Sequence, residues 1–302
     1  MNESKSDLVS FVIPVFNSER FLSESLESVI NQTYTNIEII AVYDESDDSS
    51  IEILKSFCNR DERMKIIYGA GNGLSHALNL GIDNTKGKLI ARMDADDISH
   101  LNRIEKQVNY LNKNNLDFCG SHITFIDNLG RVNGLKSMPV THKACTLCSS
   151  IEVPFMHPTV LMRRSFLQEN DLRYGQSKYK AAEDYDLWVR AYGKGAIFGN
   201  IDESLVYFRV LKDSASRNNS PMLKETKKIS KNFFNNYFKD CEEILNNLSK
   251  DGSFAEKKIC LRFILKSIFR KGKLTYLKKI KYFEMKIIIE SIFSELNYLV
   301  RR

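Results

Sequence analysis

Three carboxylates, Asp94, Asp96 and Asp97, follow directly on an apolar run from Lys88 to Met93 that reads as a buried strand. Acids crowded at such a place repel one another unless a cation lies among them. An Asp-x-Asp pair at the carboxyl end of a strand suits a divalent ion, because such ions take oxygen ligands from carboxylates and phosphates together. A solvated acidic turn is the competing reading of an isolated Asp-x-Asp. A second acidic cluster lies at Glu183-Asp184-Tyr185-Asp186-Leu187-Trp188. If that segment is helical, Asp184 shares a stripe with Leu187, Trp188 and Ala191, so one carboxylate turns toward the apolar side beside the single tryptophan. Partial desolvation raises the pKa of such a group and fits it to act as general base toward a hydroxyl. Glu183 and Asp186 are then expected to face solvent or cap the helix. The opposing reading makes Asp184 an ordinary N-terminal acid favoured by the helix dipole.

The elements that must position these acids alternate along the first half. Val9 to Val15, Ile37 to Val42, Lys65 to Tyr68 and Leu89 to Met93 read as strands. Between them lie helical patterns. One opens at Asn17 or Ser18 and carries Leu22, Leu26, Val29 and Ile30 on one face, and the next runs from about Ser49 to Cys58. A third carries Leu74, Ala77, Leu78, Gly81 and Ile82, and a fourth, with Ile104, Val108 and Leu111 inward, leads to a strand around Phe118 to Phe125. That alternation is the signature of βαβ units, so the first half resembles a mononucleotide-binding sheet.

Parallel strands bring their carboxyl ends to one edge, which gathers Phe16 and Asn17, Asp44, the loop Gly71-Asn72-Gly73, and Asp94 on a shared rim. An aromatic stacks on a base, a carboxylate accepts a hydrogen bond from a base or ribose, and a glycine loop lets backbone approach a ligand. A nucleotide with its phosphates on a metal is the economical reading of that set.

Five stretches in order resemble glycosyltransferase family 2, whose members have the GT-A fold. They are Val9-Ser10-Phe11-Val12-Ile13-Pro14-Val15-Phe16-Asn17, then Ser28 to Tyr34, then Asn72-Gly73-Leu74 through Asn79-Leu80-Gly81, then Ala91-Arg92-Met93-Asp94-Ala95-Asp96-Asp97, and the Glu183 to Trp188 segment, within a span from about Val9 to Ser216. The resemblance implies an α/β Rossmann-like mixed sheet with flanking helices and an inverting transfer from a nucleotide-sugar, with a UDP-sugar favoured. It implies Pro14, Phe16, Asn17, Asp44, Asn72 and Asp94 as nucleotide-sugar-binding residues, Asp96 as the ligand of a Mn or Mg ion, and Asp184 as the catalytic base. The acceptor would be a saccharide or lipid-linked saccharide, in surface polysaccharide or glycoconjugate assembly.

Two positions depart from the family pattern. Where members show Asp-Asp-Gly-Ser after the second strand, this chain has Tyr43-Asp44-Glu45-Ser46, and where a Tyr-Arg-Val-His segment supplies a metal-side histidine, it has Tyr207-Phe208-Arg209-Val210-Leu211. Leucine cannot ligate a metal. Arg209 or Lys212 is left to neutralise the diphosphate as a point charge. Two other functions stay open: a sugar-1-phosphate nucleotidyltransferase, which wants a basic Gly-rich loop that Pro14 to Ser18 lacks, and a non-catalytic nucleotide-sugar-binding relative.

With 302 residues, 43% of them hydrophobic, the chain can bury a sizeable core, read as a catalytic domain over 1–216 and a helical extension over 217–302. Residues 251–302 carry 13 Lys or Arg against 5 Asp or Glu, a local excess of 8 positive charges, whereas the net charge of the whole is +6. The basic charge therefore sits on the tail, not on the ordered domain, which argues against nucleic acid. Lys258, Arg262, Lys266 and Arg270 recur every four residues beside Leu261, Ile264, Leu265 and Ile268, with Gly272 as a break. This pattern fits an anionic membrane surface, a helical subdomain packed on the catalytic domain, or a homodimer contact. Asn218-Asn219-Ser220-Pro221 reads as a linker. Neither a signal peptide nor a membrane-spanning run is visible, and six dispersed cysteines fit reduced thiols, so a cytoplasmic location is expected, with peripheral association at the inner face of the membrane. Cys145 and Cys148 near His142 offer only half of a zinc site. His157 either lines the acceptor side or is a structural group.

Overall fold

Unbroken runs of β-branched and aromatic residues, each closed by Asn, Asp or Gly, make the strands, and 3.6-residue periodicity makes the helices between them. The computed structural model describes residues 6–211, 220–251 and 253–271, with Phe283 and Ile288. In chain order the first unit holds β1 (Val9–Val15), α1 (Glu19–Ile30), β2 (Ile37–Tyr43), α2 (Ser50–Arg60), β3 (Met64–Tyr68), α3 (Leu74–Asp83), β4 (Leu89–Arg92), β5 (Ile98–Ser99), α4 (Arg103–Lys113), β6 (Phe118–Ile126) and β7 (Val132–Lys136). After α5 (His142–Ser149) follow β8 (Leu161–Arg163), α6 (Arg164–Glu169), α7 (Glu183–Gly193) and β9 (Phe198–Arg209), then α8 (Ser220–Asn236), α9 (Phe238–Asp251) and α10 (Phe254–Lys271).

Strands β3, β2, β1 and β4 lie side by side and parallel, which gives the order of a mononucleotide-binding half and puts a topological switch point between β1 and β4. Beyond β4 the sheet turns mixed. Strand β8 is antiparallel to both β4 and β6, β6 is parallel to β9, and β9 is antiparallel to the two-residue β5. The parallel strands are buried on both faces: Phe11, Ile13, Ile39 and Ala41 pack with Leu22, Leu26 and Val29 of α1 and Leu54 and Phe57 of α2, while Ile40 and Val42 meet Ala77 of α3. Each such side chain contributes on the order of 1.5–3 kcal/mol. Helix α3 comes close because residue 81 is glycine; a Cβ there would stand 2.5 Å from Val12 Cγ1.

The chain divides into two compact units, residues 1–138 with 155–222, and residues 139–154 with 223–302. The stretch 139–154, expected inside the first domain, thus groups with the tail helices. Within that second unit, Phe234, Phe238 and Phe263 form an aromatic cluster, and in α10 residues 260–264, 266 and 267 are buried. Of the basic stripe, which fits a membrane surface, a packed subdomain or a dimer contact, Arg262 and Lys266 are turned inward and Lys258 is half-buried. Lys266 is buried and donates through Nζ to the Ile151 carbonyl at 2.9 Å, and buried Arg262 pairs with Glu152, so these cations serve the end of α5. Ser220 and Pro221 open α8 instead of forming a linker, as suits proline in a first turn. Asn218, Asn219 and Gly272 lie outside the described residues, as does the side chain of Arg270. No helix among the described residues is long and apolar enough to cross a membrane.

Candidate active site

A cavity of about 550 Å³ opens at the carboxyl ends of β1 to β4, lined among others by Pro14, Phe16, Asn17, Asp44, Asp94 and Asp96. Six of the eight residues expected at the site thus share one wall. Asn72 and Asp184 do not line it; Asn72 is exposed between Gly71 and Gly73, which do.

Phe16 is 61% exposed at the tip of β1, an unusual cost for an aromatic without a ligand. Asn17 follows in the left-handed region at φ 47°, accepts the Asp47 N–H through Oδ1 at 3.0 Å, and donates its own N–H to Ser46 Oγ. It ties the loops after β1 and β2 together. The same clamp continues through Ser18 N–H to Ser50 Oγ and Glu19 N–H to Asp48 Oδ2, both 2.9 Å, which caps the start of α1 from another segment. Asp44 is buried and accepts the Gly71 N–H at 3.2 Å; a Cβ at Gly69 would collide with its Oδ1 at 1.9 Å, so the glycines let β3's loop close over this acid. Tyr43, standing where the family has an acid, accepts the Ser46 N–H through its hydroxyl at 3.1 Å and packs edge-on to Tyr68. A hydroxyl oxygen thereby closes the turn.

Carboxylate oxygens of Asp94, Asp96 and Asp97 lie within 4.8 Å of one another. Burial and the neighbouring Asp94 charge push the Asp96 carboxyl up to about 6 and hold Asp97 well above the ordinary range. Asp97 accepts the Arg209 N–H through Oδ1 at 2.8 Å, while its Oδ2 is buried with no partner. Three hard oxygen donors, like-charge repulsion and an orphaned buried oxygen together fit a divalent cation. Arg209, one of the two cations expected to neutralise the diphosphate, has its guanidinium engaged within the fold. It is buried, and its guanidinium donates to Asp96 O at 2.9 Å and Asp127 O at 3.1 Å, pairs with Glu24, and lies 4.2 Å over the Phe21 ring. Leu211 lines the cavity beside Asp94 and Asp96 where the family's histidine would stand, and Lys212 lies outside the described residues.

Asp184 sits in the first turn of α7, half-buried, and its Oδ1 accepts the Tyr185 N–H at 2.7 Å. Burial and Asp94 raise its carboxyl, while that N–H and Arg92 oppose the rise. Glu183 and Asp186, expected to face solvent or cap the helix, are both buried, which excludes the first alternative. The helix starts inside the fold, so Asp186 is neutralised by Arg190 at 2.8 Å and Glu183, beside Asp184, is pushed up to about 7 by burial and that charge.

Sequence reasoning missed the cations. Buried Arg92 pairs with Asp94, and two of its nitrogens, Nε and Nη1, have no partner. Its field also reaches Glu183 and Asp184, and it helps burial hold His157 well below the ordinary histidine value. The signal was present, since residues two apart in an extended chain share a face. Arg103, fully buried, donates to Arg92 O at 2.9 Å and to Gln107, bracing the strand behind the acids. Arg20, exposed in the first turn of α1, lines the cavity near the donors of a helix N-terminus. His157 is bonded at 3.0 Å to the buried Tyr174 hydroxyl. The thiols of Cys145 and Cys148 donate to the carbonyls of Pro139 and Val153, and among the described residues only the three aspartates could hold a metal.

A sheet that gathers an aromatic, an acid, a helix N-terminus and three aspartates at its switch point has the architecture of the GT-A type. Among solved structures it resembles Staphylococcus aureus TarS in complex with UDP-GlcNAc, with TM-score 0.61 and 18% identity, covering 85% of this chain and 79% of that one. It also resembles the mannosyltransferase PcManGT of Pyrobaculum calidifontis in complex with GDP-Man and Mn2+, with TM-score 0.55 and 13% identity over 96% and 88% of the two chains. In sequence it is 34% identical over 213 residues to an uncharacterised glycosyltransferase of Haemophilus influenzae, covering 67% of this chain but 65% of that protein. It spans 29% of a longer relative in Rickettsia bellii. Identity is 29% over 214 residues to the O-antigen biosynthesis glycosyltransferase WbnJ of Escherichia coli, with coverage of 70% and 83%. The family model of glycosyl transferase family 2 matches residues 10–170. The chain belongs to that family.

Proposed function

We propose that the protein moves a sugar from a nucleoside-diphosphate donor, a UDP-sugar in the first instance, to a hydroxyl of a saccharide or lipid-linked saccharide, with inversion at the anomeric carbon. The observation that carries this reading is the cluster of three aspartates within 4.8 Å, two of which, Asp94 and Asp96, line the same cavity as Phe16 and Asp44. Phe16 stacks on the base and Asp44 accepts a hydrogen bond from it. Asp94 and Asp96 would hold a Mn or Mg ion, which when bound supplies positive charge opposite the diphosphate. Arg20, which lines the cavity, supplies positive charge toward the same phosphates. Arg92 pairs with Asp94 and holds it in place.

Asp184 takes the proton of the acceptor hydroxyl as that oxygen bonds to the anomeric carbon and the bond from carbon to the diphosphate oxygen breaks. Burial makes its carboxyl more basic than a solvated aspartate, and the Arg92 charge opposes that rise. One relative, an O-antigen biosynthesis glycosyltransferase, supports assembly of a surface polysaccharide or glycoconjugate. The test is a panel of UDP- and GDP-sugars incubated with Mn, following release of nucleoside diphosphate. Release should be largest with one UDP-sugar. Failure to bind or hydrolyse any member of the panel would overturn the reading.

A further inference from the structure

The hairpin of β6 and β7 carries an apolar strip that the site leaves unused. Its turn is well ordered: Asp127 Oδ1 accepts the N–H groups of Leu129 at 2.8 Å and Arg131 at 3.0 Å, and Oδ2 pairs with the Arg131 guanidinium at 2.7 Å. Two backbone bonds, Asp127 N–H to Arg131 O and Gly130 N–H to Asp127 O, close it further. This turn holds Leu129 68% exposed. Beyond it Val132 stands opposite Ile126 and Leu135 opposite Thr124, with the irregularity of register between Phe125 and Ile126. Thr124 and Ile126 are two residues apart and share a face, so their partners share one too, although Val132 and Leu135 are three apart. The bulge thereby puts Val132 at 68% exposure and Leu135 at 60% on one face, with Leu129 exposed at the adjoining turn.

The root of this hairpin adjoins the catalytic rim. Val210 N–H donates to Ile126 O at 2.9 Å, and the Arg209 guanidinium joins Asp127 O to Asp96 O. Whatever covers the strip is held beside the acid segment. A second copy of the chain is a poor candidate: β7 has five residues, and three aliphatic side chains fall far short of the roughly 800 Å² per partner of a stable interface. Lys136 at the strand end and Arg131 at the turn also discourage edge-to-edge pairing. Aliphatic residues at a turn flanked by cations suit a shallow lipid surface, where the apolar tips enter the acyl boundary and the cations meet headgroup phosphates.

We propose that the β6–β7 hairpin docks on an anionic lipid surface through Leu129, Val132 and Leu135, with Arg131 and Lys136 on headgroup phosphates, and so presents the rim to a lipid-linked acceptor. This rests on the transferase reading above and adds the acceptor's setting. The experiment sediments the full chain with vesicles of equal parts phosphatidylglycerol and phosphatidylcholine, comparing wild type with the triple variant L129S/V132T/L135S and with Lys136→Glu. Wild type should sediment, the triple variant should lose about tenfold in partitioning, and Lys136→Glu should bind less and lose most of its salt dependence. Thermal midpoints and nucleoside-diphosphate release in lipid-free buffer should match wild type in both. Equal sedimentation of all three proteins, absence of wild-type sedimentation, or conversion of a dimer to a monomer by the triple variant would overturn the proposal. Lack of diphosphate release by wild type would instead refute the transferase reading, with the vesicle result still standing.

Discussion

Replacing Arg209 by methionine separates two accounts of this residue, a strut beneath the acids or a cation for the diphosphate. In the structure its guanidinium donates to the carbonyls of Asp96 and Asp127, and removing it leaves both acceptors without that partner in a place where Arg209 is only 2% exposed. Bonds to a charged donor contribute about 1.5–3 kcal/mol each. The pair with Glu24 adds little, because that carboxylate is 52% exposed on its side chain and rehydrates. Contact with the Phe21 ring adds about 1 kcal/mol, part of which methionine keeps through its sulfur. The expected loss is about 3–5 kcal/mol. For a unit of this size that is a fall of roughly 10 °C in melting temperature. Thermal unfolding paired with calorimetric titration of UDP and Mn reads both quantities. A melting temperature within a few degrees of wild type, together with strongly weakened UDP binding, would refute the strut account.

Three further outcomes follow from the same geometry. Asp96 and Glu183 ionise in the fold at about 6 and about 7, above their unfolded values, so the native state holds more protons across that interval. Metal-free protein should therefore be most stable below about pH 4 to 5 as far as these two groups are concerned, and lose that contribution as pH rises through about 7; melting curves showing the opposite slope, corrected for other groups by Glu183→Gln, would contradict the assignment. With Leu211 beside the aspartates, Mn should bind loosely alone and more tightly with nucleoside diphosphate, and Leu211→His should tighten it, as read by paramagnetic titration; no gain from histidine would mean that Asp97 already completes the ligand set. Removing residues after Pro221 takes away α10, which packs its cations on Ile151 and Glu152, so hydrogen exchange across α5 should rise by orders of magnitude, whereas unchanged protection would show that 139–154 is held without the tail.

The parallel half was legible because its strands are buried on both faces and read as unbroken apolar runs. Val9 to Val15 is the strand bounded as read, and the others differ by one residue at an end. The second half was not. Strand β5 has two residues and β8 three, too few for any period, and β9 owes its twelve residues to pairing with β6, a long-range contact. The rim acids were visible from spacing, but the partners that fix them were not, since Arg209 reaches Asp96 across more than a hundred residues. Helical periodicity turned Asp184 inward and left Glu183 and Asp186 to solvent or to the helix cap; burial of the α7 N-terminus, with Arg190 supplied one turn later, takes both out of solvent. The tail left its alternatives open for a related reason. A repeat of cations every four residues looks alike whether it meets lipid or, as with Arg262 and Lys266, the end of another helix.

The account stands most directly on Asp184. Transfer from the donor identified in the nucleotide-sugar panel should be measured for wild type and Asp184→Asn, with UDP affinity determined on the same preparations. The variant preserves size and removes the base, so transfer should fall by about 10²–10⁴ while UDP affinity changes by less than about threefold. Transfer at the wild-type rate by Asp184→Asn would contradict the assignment of the base and, with it, the mechanism built on this rim.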